Sequence, residues 1–245
     1  MSRAKTALVT GAAVRIGAAT VRELHTRGCD VLVHCNSKQH EAEVLAADLN
    51  ALRAESAFVA QADLSTPKGV EALAGTCRAT FGQLDILVNN ASRFYPTEVG
   101  QTLAWQWDDL LNSNLRGPYF LVQALLGELQ AAKGCVVNVV DIHAERPMPG
   151  HAVYNISKAG IAMMTKALAQ ELGPGVRVNG VSPGAIMWPE AEMTEGEKQT
   201  ILERTSLGRV GDPSDIASAV AYLALDAPYV TGQIFAVDGG RSLNV

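Results

Sequence analysis

Apolar and polar positions alternate along this chain in two interleaved patterns. Short runs dominated by Val, Ile, Leu and Ala, the composition of buried strands, recur at residues 5–10 (KTALVT), 30–38 (DVLVHCNSK), 56–65 (SAFVAQADLS), 84–92 (LDILVNNAS), 134–140 (GCVVNVV), 176–184 (VRVNGVSPG) and 233–240 (QIFAVDGG). Between them lie stretches with helical spacing: AATVRELHTRG with a stop at Gly28, then residues 40–53, 67–81, 105–132, about 153–172, and 213–225. The third strand is expected to end at Asp63. Pro118 stands near the middle of 105–132 and predicts a kink or break, with Asn114 just before it. Residues 185–211 show no single clear element, and a Met- and Trp-containing excursion over about 185–210 reads as a lid or binding loop. Seven strands alternating with helices, without linker or repeat, predict an α/β fold. The expectation is one domain over residues 1–245, with a doubly wound, seven-stranded parallel sheet flanked by helices.

The first turn carries candidate chemistry. Strand, glycine turn and helix follow one another in TGAAVRIG, so backbone N–H groups and a helix start can face an anion, as in a Rossmann-type phosphate turn. Gly11 and Gly17 frame the turn, Ile16 belongs to it, and Arg15 stands inside it. An acid after the second strand would suit the ribose hydroxyls of NAD, but none occurs between Val31 and Gln39. His34, Asn36, Ser37 and Lys38 stand there instead and can bind a 2′-phosphate together with Arg15, which argues for NADP(H). The fourth strand ends in Asn89, Asn90, Ala91 and Ser92, small polar residues that suit the crevice beyond the strand ends of an open α/β sheet.

The rest of the chain is organised around the stretch 139–160 (VVDIHAERPMPGHAVYNISKAG). Tyr154 and Lys158 lie four residues apart and share one face of the expected helix. An ammonium beside a phenol favours phenolate and lowers a pKa of about 10, which suits a general acid near neutral pH.

Bulk properties narrow the class. At 245 residues, 48% hydrophobic and 18% charged, the chain is globular with a sizeable core, and its net charge of −5 gives no reason to expect nucleic acid or a membrane surface as partner. Cys29, Cys35, Cys77 and Cys135 have no metal-type spacing and read as buried free thiols. No apolar run reaches membrane-spanning length and the N-terminal one is too short for a signal peptide, so the expectation is a soluble cytoplasmic protein. The spacings of His34, His143 and His151 fit no ligand set, and no metal is expected.

Taken together, TGAAVRIG, NNAS, Asn114, Tyr154-x3-Lys158, the SPG of 182–184 and the VDGG near the C-terminus make the chain resemble the short-chain dehydrogenase/reductase family over essentially its whole length. Two departures sharpen the resemblance. The family usually has glycine where Arg15 stands, and serine thirteen residues before the tyrosine, where this chain has Asp141. Both are similar to pteridine reductases, with their TG-x3-R-x-G turn and Asp with Tyr-x3-Lys. NNASRFYPT is similar to the segment whose phenylalanine, here Phe94, stacks on the pterin.

The resemblance implies a pterin slot between nicotinamide and Phe94, with Arg15 and Ser92 touching cofactor and substrate. It implies further that Lys158 orients the nicotinamide ribose and tunes Tyr154, and that Asn114 holds a water linking the group to solvent. Asp63 and Leu64 would border the adenine, Pro183 and Gly184 the nicotinamide, and Met187 and Trp188 would cap the pterin. Asp141 either keeps Tyr154 protonated as a carboxylate or donates a proton itself, the pair titrating jointly. The implied activity is NADPH-dependent reduction of a C=N bond of dihydropterin, with biopterin or dihydrofolate as further substrates, in a homotetramer. The alternatives are an oxoacyl-type carbonyl reductase and a non-catalytic NADP-binding sensor.

Overall fold

The computed structural model describes residues 3–188 and 193–244. Seven strands, β1 (Thr6–Val9), β2 (Asp30–Cys35), β3 (Ala57–Gln61), β4 (Ile86–Asn89), β5 (Cys135–Val139), β6 (Arg177–Pro183) and β7 (Ile234–Val237), form one sheet in the order β3-β2-β1-β4-β5-β6-β7. Every pairing is parallel. Successive side chains of a strand point to opposite faces, and here both faces are apolar. Ala7, Val9, Val31 and Val33 pack on one side against helices α1 (Arg15–Thr26), α2 (Gln39–Leu52) and α9 (Pro213–Ala221). Leu8 and Leu32 pack on the other side against α3 (Pro67–Phe81), α5 (Gly117–Ala124) and α7 (Ala152–Leu172). The fold is thus a single, doubly wound α/β domain. Its strand order reverses between β1 and β4, which opens a crevice at their C-terminal ends. All four cysteines are free and buried.

Three expectations are refined. The expected helix over 105–132 is α4 (Ala104–Leu111), a π-helical segment Asn112–Arg116, α5, and α6 (Leu126–Ala132). The break precedes Pro118, which sits in the first turn of α5, where its missing N–H needs no partner. The third strand ends at Gln61, because Asp63 folds into a turn and accepts bonds from the Ser65 amide (3.0 Å) and hydroxyl (2.8 Å). The 185–210 excursion does contain an element, α8 (Glu195–Glu203), started by a reciprocal Thr194–Glu197 capping box. That signal was readable as T-x-x-E; residues 189–192 of the excursion lie outside the described residues.

Candidate active site

Loops at the C-terminal ends of β1, β2, β3 and β4 enclose a cleft of about 240 Å³. Gly11, at φ +61°, leaves β1 so close to the β4 exit that a Cβ there would lie 2.8 Å from the Ala91 Cα. Asn90 laces the two exits together, its amide nitrogen donating to the Thr10 (2.8 Å) and Gly11 (2.9 Å) carbonyls. Gly17 is equally constrained, since a Cβ would overlap the Gly11 carbonyl. Ile16 turns its side chain toward the core. Arg15 is exposed and holds a left-handed backbone, φ +53°, that glycine adopts without penalty. Asn36, Ser37, Lys38, Asp63, Leu64 and Ser92 line the cleft, and the first three are exposed at its edge.

His34 lines this cleft but offers it no charge. Its ring is 1% exposed, Nδ1 accepts from the Gly11 N–H (3.1 Å), and Nε2–H donates to the Ala62 carbonyl (3.0 Å). Burial pushes the imidazole down to about 4, so it is neutral and ties three strand ends together. The expectation that it grips a phosphate is corrected: it shapes the cradle, leaving Arg15 and Lys38 as the expected cations.

Helix α7 places Tyr154 and Lys158 on one buried face. Asp141 caps the short turn Ile142–Ala144; its Oδ1 accepts from the His143 amide (2.8 Å) and its Oδ2 from the Tyr154 hydroxyl (2.6 Å). Lys158, 3% exposed, donates from Nζ to the Val139 carbonyl (3.1 Å) and lies 5.7 Å from the Tyr154 ring centroid. The phenol is consequently pushed well above its ordinary value, first by burial and then by the Asp141 carboxylate. This reverses the expectation that Lys158 lowers it. Burial also lowers the Lys158 pKa, with Asp141 pulling the other way.

Asn114, inside the π-helical segment, bonds three neighbouring groups through its side chain. Oδ1 accepts from the Arg93 amide (2.7 Å), and Nδ2 donates to the Arg93 carbonyl (2.9 Å) and the Ser157 hydroxyl (3.0 Å). The side chain therefore clamps the loop after β4.

The clamped loop presents Phe94, 55% exposed, with its ring stacked on His151 (centroids 4.7 Å apart, planes 10° apart) and edge-on to Tyr154 (4.8 Å, 83°). His151 was missed as a site residue; its place just before α7 was the available signal. Arg93, also missed, pairs with Asp109 and lies 3.7 Å from Asp63, fixing the same loop. Pro183 ends β6, and a Cβ on Gly184 would lie 2.7 Å from the Asp238 Cα, so SPG and VDGG pack tightly together. Met187 holds φ +60° and donates its N–H to the Gly211 carbonyl (3.1 Å), while Trp188 lies beneath Lys198 of α8 (6.0 Å). Among the described residues no three His, Cys, Asp or Glu side chains gather as a metal-holding group.

A family model described as Enoyl-(Acyl carrier protein) reductase matches residues 11–242. The 3-oxoacyl-[acyl-carrier-protein] reductase FabG of Staphylococcus aureus (strain Mu50 / ATCC 700699) is 34% identical over 244 residues, covering 98% of this chain and 99% of that protein. Pteridine reductase 1 of Leishmania tarentolae is likewise 34% identical, over 281 residues that cover 98% of this chain and 97% of its own. The (2S)-[(R)-hydroxy(phenyl)methyl]succinyl-CoA dehydrogenase subunit BbsD of Thauera aromatica is 35% identical over 245 residues, covering 98% and 97%. Matches of this extent run from the glycine turn to the last strand, and they make the chain a member of the short-chain dehydrogenase/reductase family, hence an oxidoreductase.

Proposed function

We propose that this protein is an NADPH-dependent pteridine reductase that reduces a C=N bond of a dihydropterin, with biopterin or dihydrofolate as further substrates. The observation that carries the reading is the 2.6 Å bond between Asp141 and Tyr154 beside the half-exposed ring of Phe94. A carboxylate at this point opposes the oxyanion that develops when a ketone is reduced. Reduction of C=N ends instead with a proton on nitrogen, and a phenol kept protonated meets that need.

The cleft at the β1–β4 switch fits a dinucleotide. Its glycine turn leaves no room for a side chain at Gly11 or Gly17, Lys38 lines its edge, and Arg15 is exposed in the turn; we assign these two cations to the 2′-phosphate. When bound, NADPH supplies the hydride. As the C=N electron pair localises on nitrogen, the Tyr154 hydroxyl gives up its proton there. A phenolate hydrogen-bonded to the Asp141 carboxyl would gather negative charge at one point, and the nearby Lys158 ammonium offsets it. Phe94 stacks on the flat heterocycle, Ser92 and Arg15 bond its edge, and Met187 with Trp188 borders the open side. Asn114 acts at one remove, by holding the Phe94 loop. We place this activity in the cytoplasm, in a homotetramer of single-domain chains with 185–210 as the substrate-side excursion.

The equal likeness to FabG favours a second reading, reduction of an oxoacyl thioester. The deciding experiment follows nucleotide oxidation with dihydrobiopterin and with an acetoacetyl thioester, using NADPH and NADH, in wild type and Asp141→Ala. Pterin turnover that requires NADPH and falls about 100-fold or more in the variant is expected. Thioester turnover without pterin turnover would establish the oxoacyl reading, and tight NADPH binding without either would point to a sensor.

A further inference from the structure

A second cleft, of about 200 Å³, lies between the loop after Asp141 and the C-terminal turn. Its wall brings together Arg146, Arg204, Arg241 and His143 and, among the described residues, no carboxylate, in a chain whose net charge is −5. Among the described residues, none of the three arginines takes part in an ion pair. Arg241 goes further, because its Nη1 is buried with no hydrogen-bond partner among the described residues. A buried, unsatisfied guanidinium nitrogen is destabilising unless a ligand completes it.

The carboxylates whose charge reaches Arg241 are committed elsewhere. Asp238 accepts from the Gly240 (2.9 Å) and Ser242 (2.7 Å) amides, and Asp141 from Tyr154 and the His143 amide. Burial, reinforced by repulsion from Arg204, holds the Arg241 guanidinium below its ordinary pKa. The cleft also adjoins the reacting group. Ile142, Arg146 and Ser242 line both it and a narrower cavity whose wall contains Asp141. Met148 and Pro149 on its rim lead directly to His151, on which Phe94 stacks.

We propose that this cleft binds the dicarboxylate tail of a folate-type substrate whose ring occupies the Phe94–Tyr154 slot, an assignment that rests on the pterin reading. Planar guanidinium forks bind planar carboxylates through paired N–H donors, and three of them suit two carboxylates better than a neutral polyol chain. On this basis a pterin with an acidic tail is preferred over dihydrobiopterin, which offers these arginines no charge.

The test compares kcat/KM for dihydrofolate and dihydrobiopterin in the full-length protein with NADPH, in wild type, Arg204→Gln and Arg241→Gln. Expected is a dihydrofolate-to-dihydrobiopterin ratio that falls about tenfold or more in each variant, with the loss in KM and shrinking at high salt. A ratio that stays put in both variants overturns the assignment. Calorimetry with p-aminobenzoylglutamate and its uncharged amide on NADPH-loaded wild type gives a readout that needs neither folded variants nor turnover. Preference for the charged fragment by about tenfold supports the cleft even if no pterin is reduced, which would sink only the pterin reading. Equal binding of the two fragments, or displacement of the charged one by inorganic phosphate at lower concentration than by glutamate, overturns it.

Discussion

Arg15 keeps a side chain at a backbone geometry that disfavours one. The left-handed conformation costs an L-residue roughly 1–2 kcal/mol, whereas glycine there loses about 0.5–1 kcal/mol more entropy on folding. Strain relief exceeds that entropy by up to about 1.5 kcal/mol, so Arg15→Gly should raise Tm, by up to about 3–6 °C, while reducing the preference for NADPH over NADH. Thermal melts without nucleotide, set beside KM values for both nucleotides, check the two halves of that expectation. His34 predicts a pH dependence. Its imidazole is pushed from 6.5 to about 4, so as pH falls the unfolded chain takes up the proton first. Its contribution is complete above pH 6.5 and declines as pH falls from 6.5 toward 4, by on the order of 3 kcal/mol. Urea midpoints for wild type and His34→Asn across that window should converge at the acid end; curves that stay parallel would remove the role given to the ring.

The break between α4 and α5 joins element packing to the site. The π-helical segment carries Asn114 into the core, and its exit at Gly117 presses on the backbone after β3: a Cβ there would lie 2.5 Å from the Leu64 carbonyl. Helix propensity favours alanine by about 1 kcal/mol, but a clash with backbone that cannot swing away outweighs it. Gly117→Ala should lower Tm by at least about 4 °C and weaken nucleotide binding, because Leu64 lines the cleft to which we assign the nucleotide. An unchanged Tm would show that the turn gives way. The break itself was legible in Pro118, and the strands were legible because both faces of this sheet are apolar. The bonding of Asn114 was not, since a polar residue before a break can face water or backbone equally well. Nor could Tyr-x3-Lys reveal that the phenol turns to Asp141 while the lysine turns to Val139; spacing places side chains on a face without choosing their partners. The helix after Thr194 was legible but hidden by its Met- and Trp-containing neighbours, which read as loop.

At the scale of the whole molecule, one side remains strongly apolar. Trp107, Tyr119, Phe120 and Met163 stand on α4, α5 and α7 around a groove of about 530 Å³. This is the face through which we expect the subunits to associate, and large exposed apolar patches of this kind mark association surfaces. Met163, 64% exposed, is central to the test: Met163→Glu should shift the particle from tetramer toward dimer or monomer in light scattering, and an unaltered mass would relocate the interface.

The parallel sheet has a practical corollary for handling the protein. Because every strand runs the same way, β1 starts at the edge opposite the crevice, where Arg3 is anchored to Asp85. The last turn instead brings Ser242 and Asn244 into the wall of the arginine cleft. An affinity tag or immobilisation handle joined ahead of Arg3 starts from the side of the sheet away from both clefts, whereas one joined beyond Asn244 starts from the wall of the arginine cleft and competes for the surface that an acidic substrate needs.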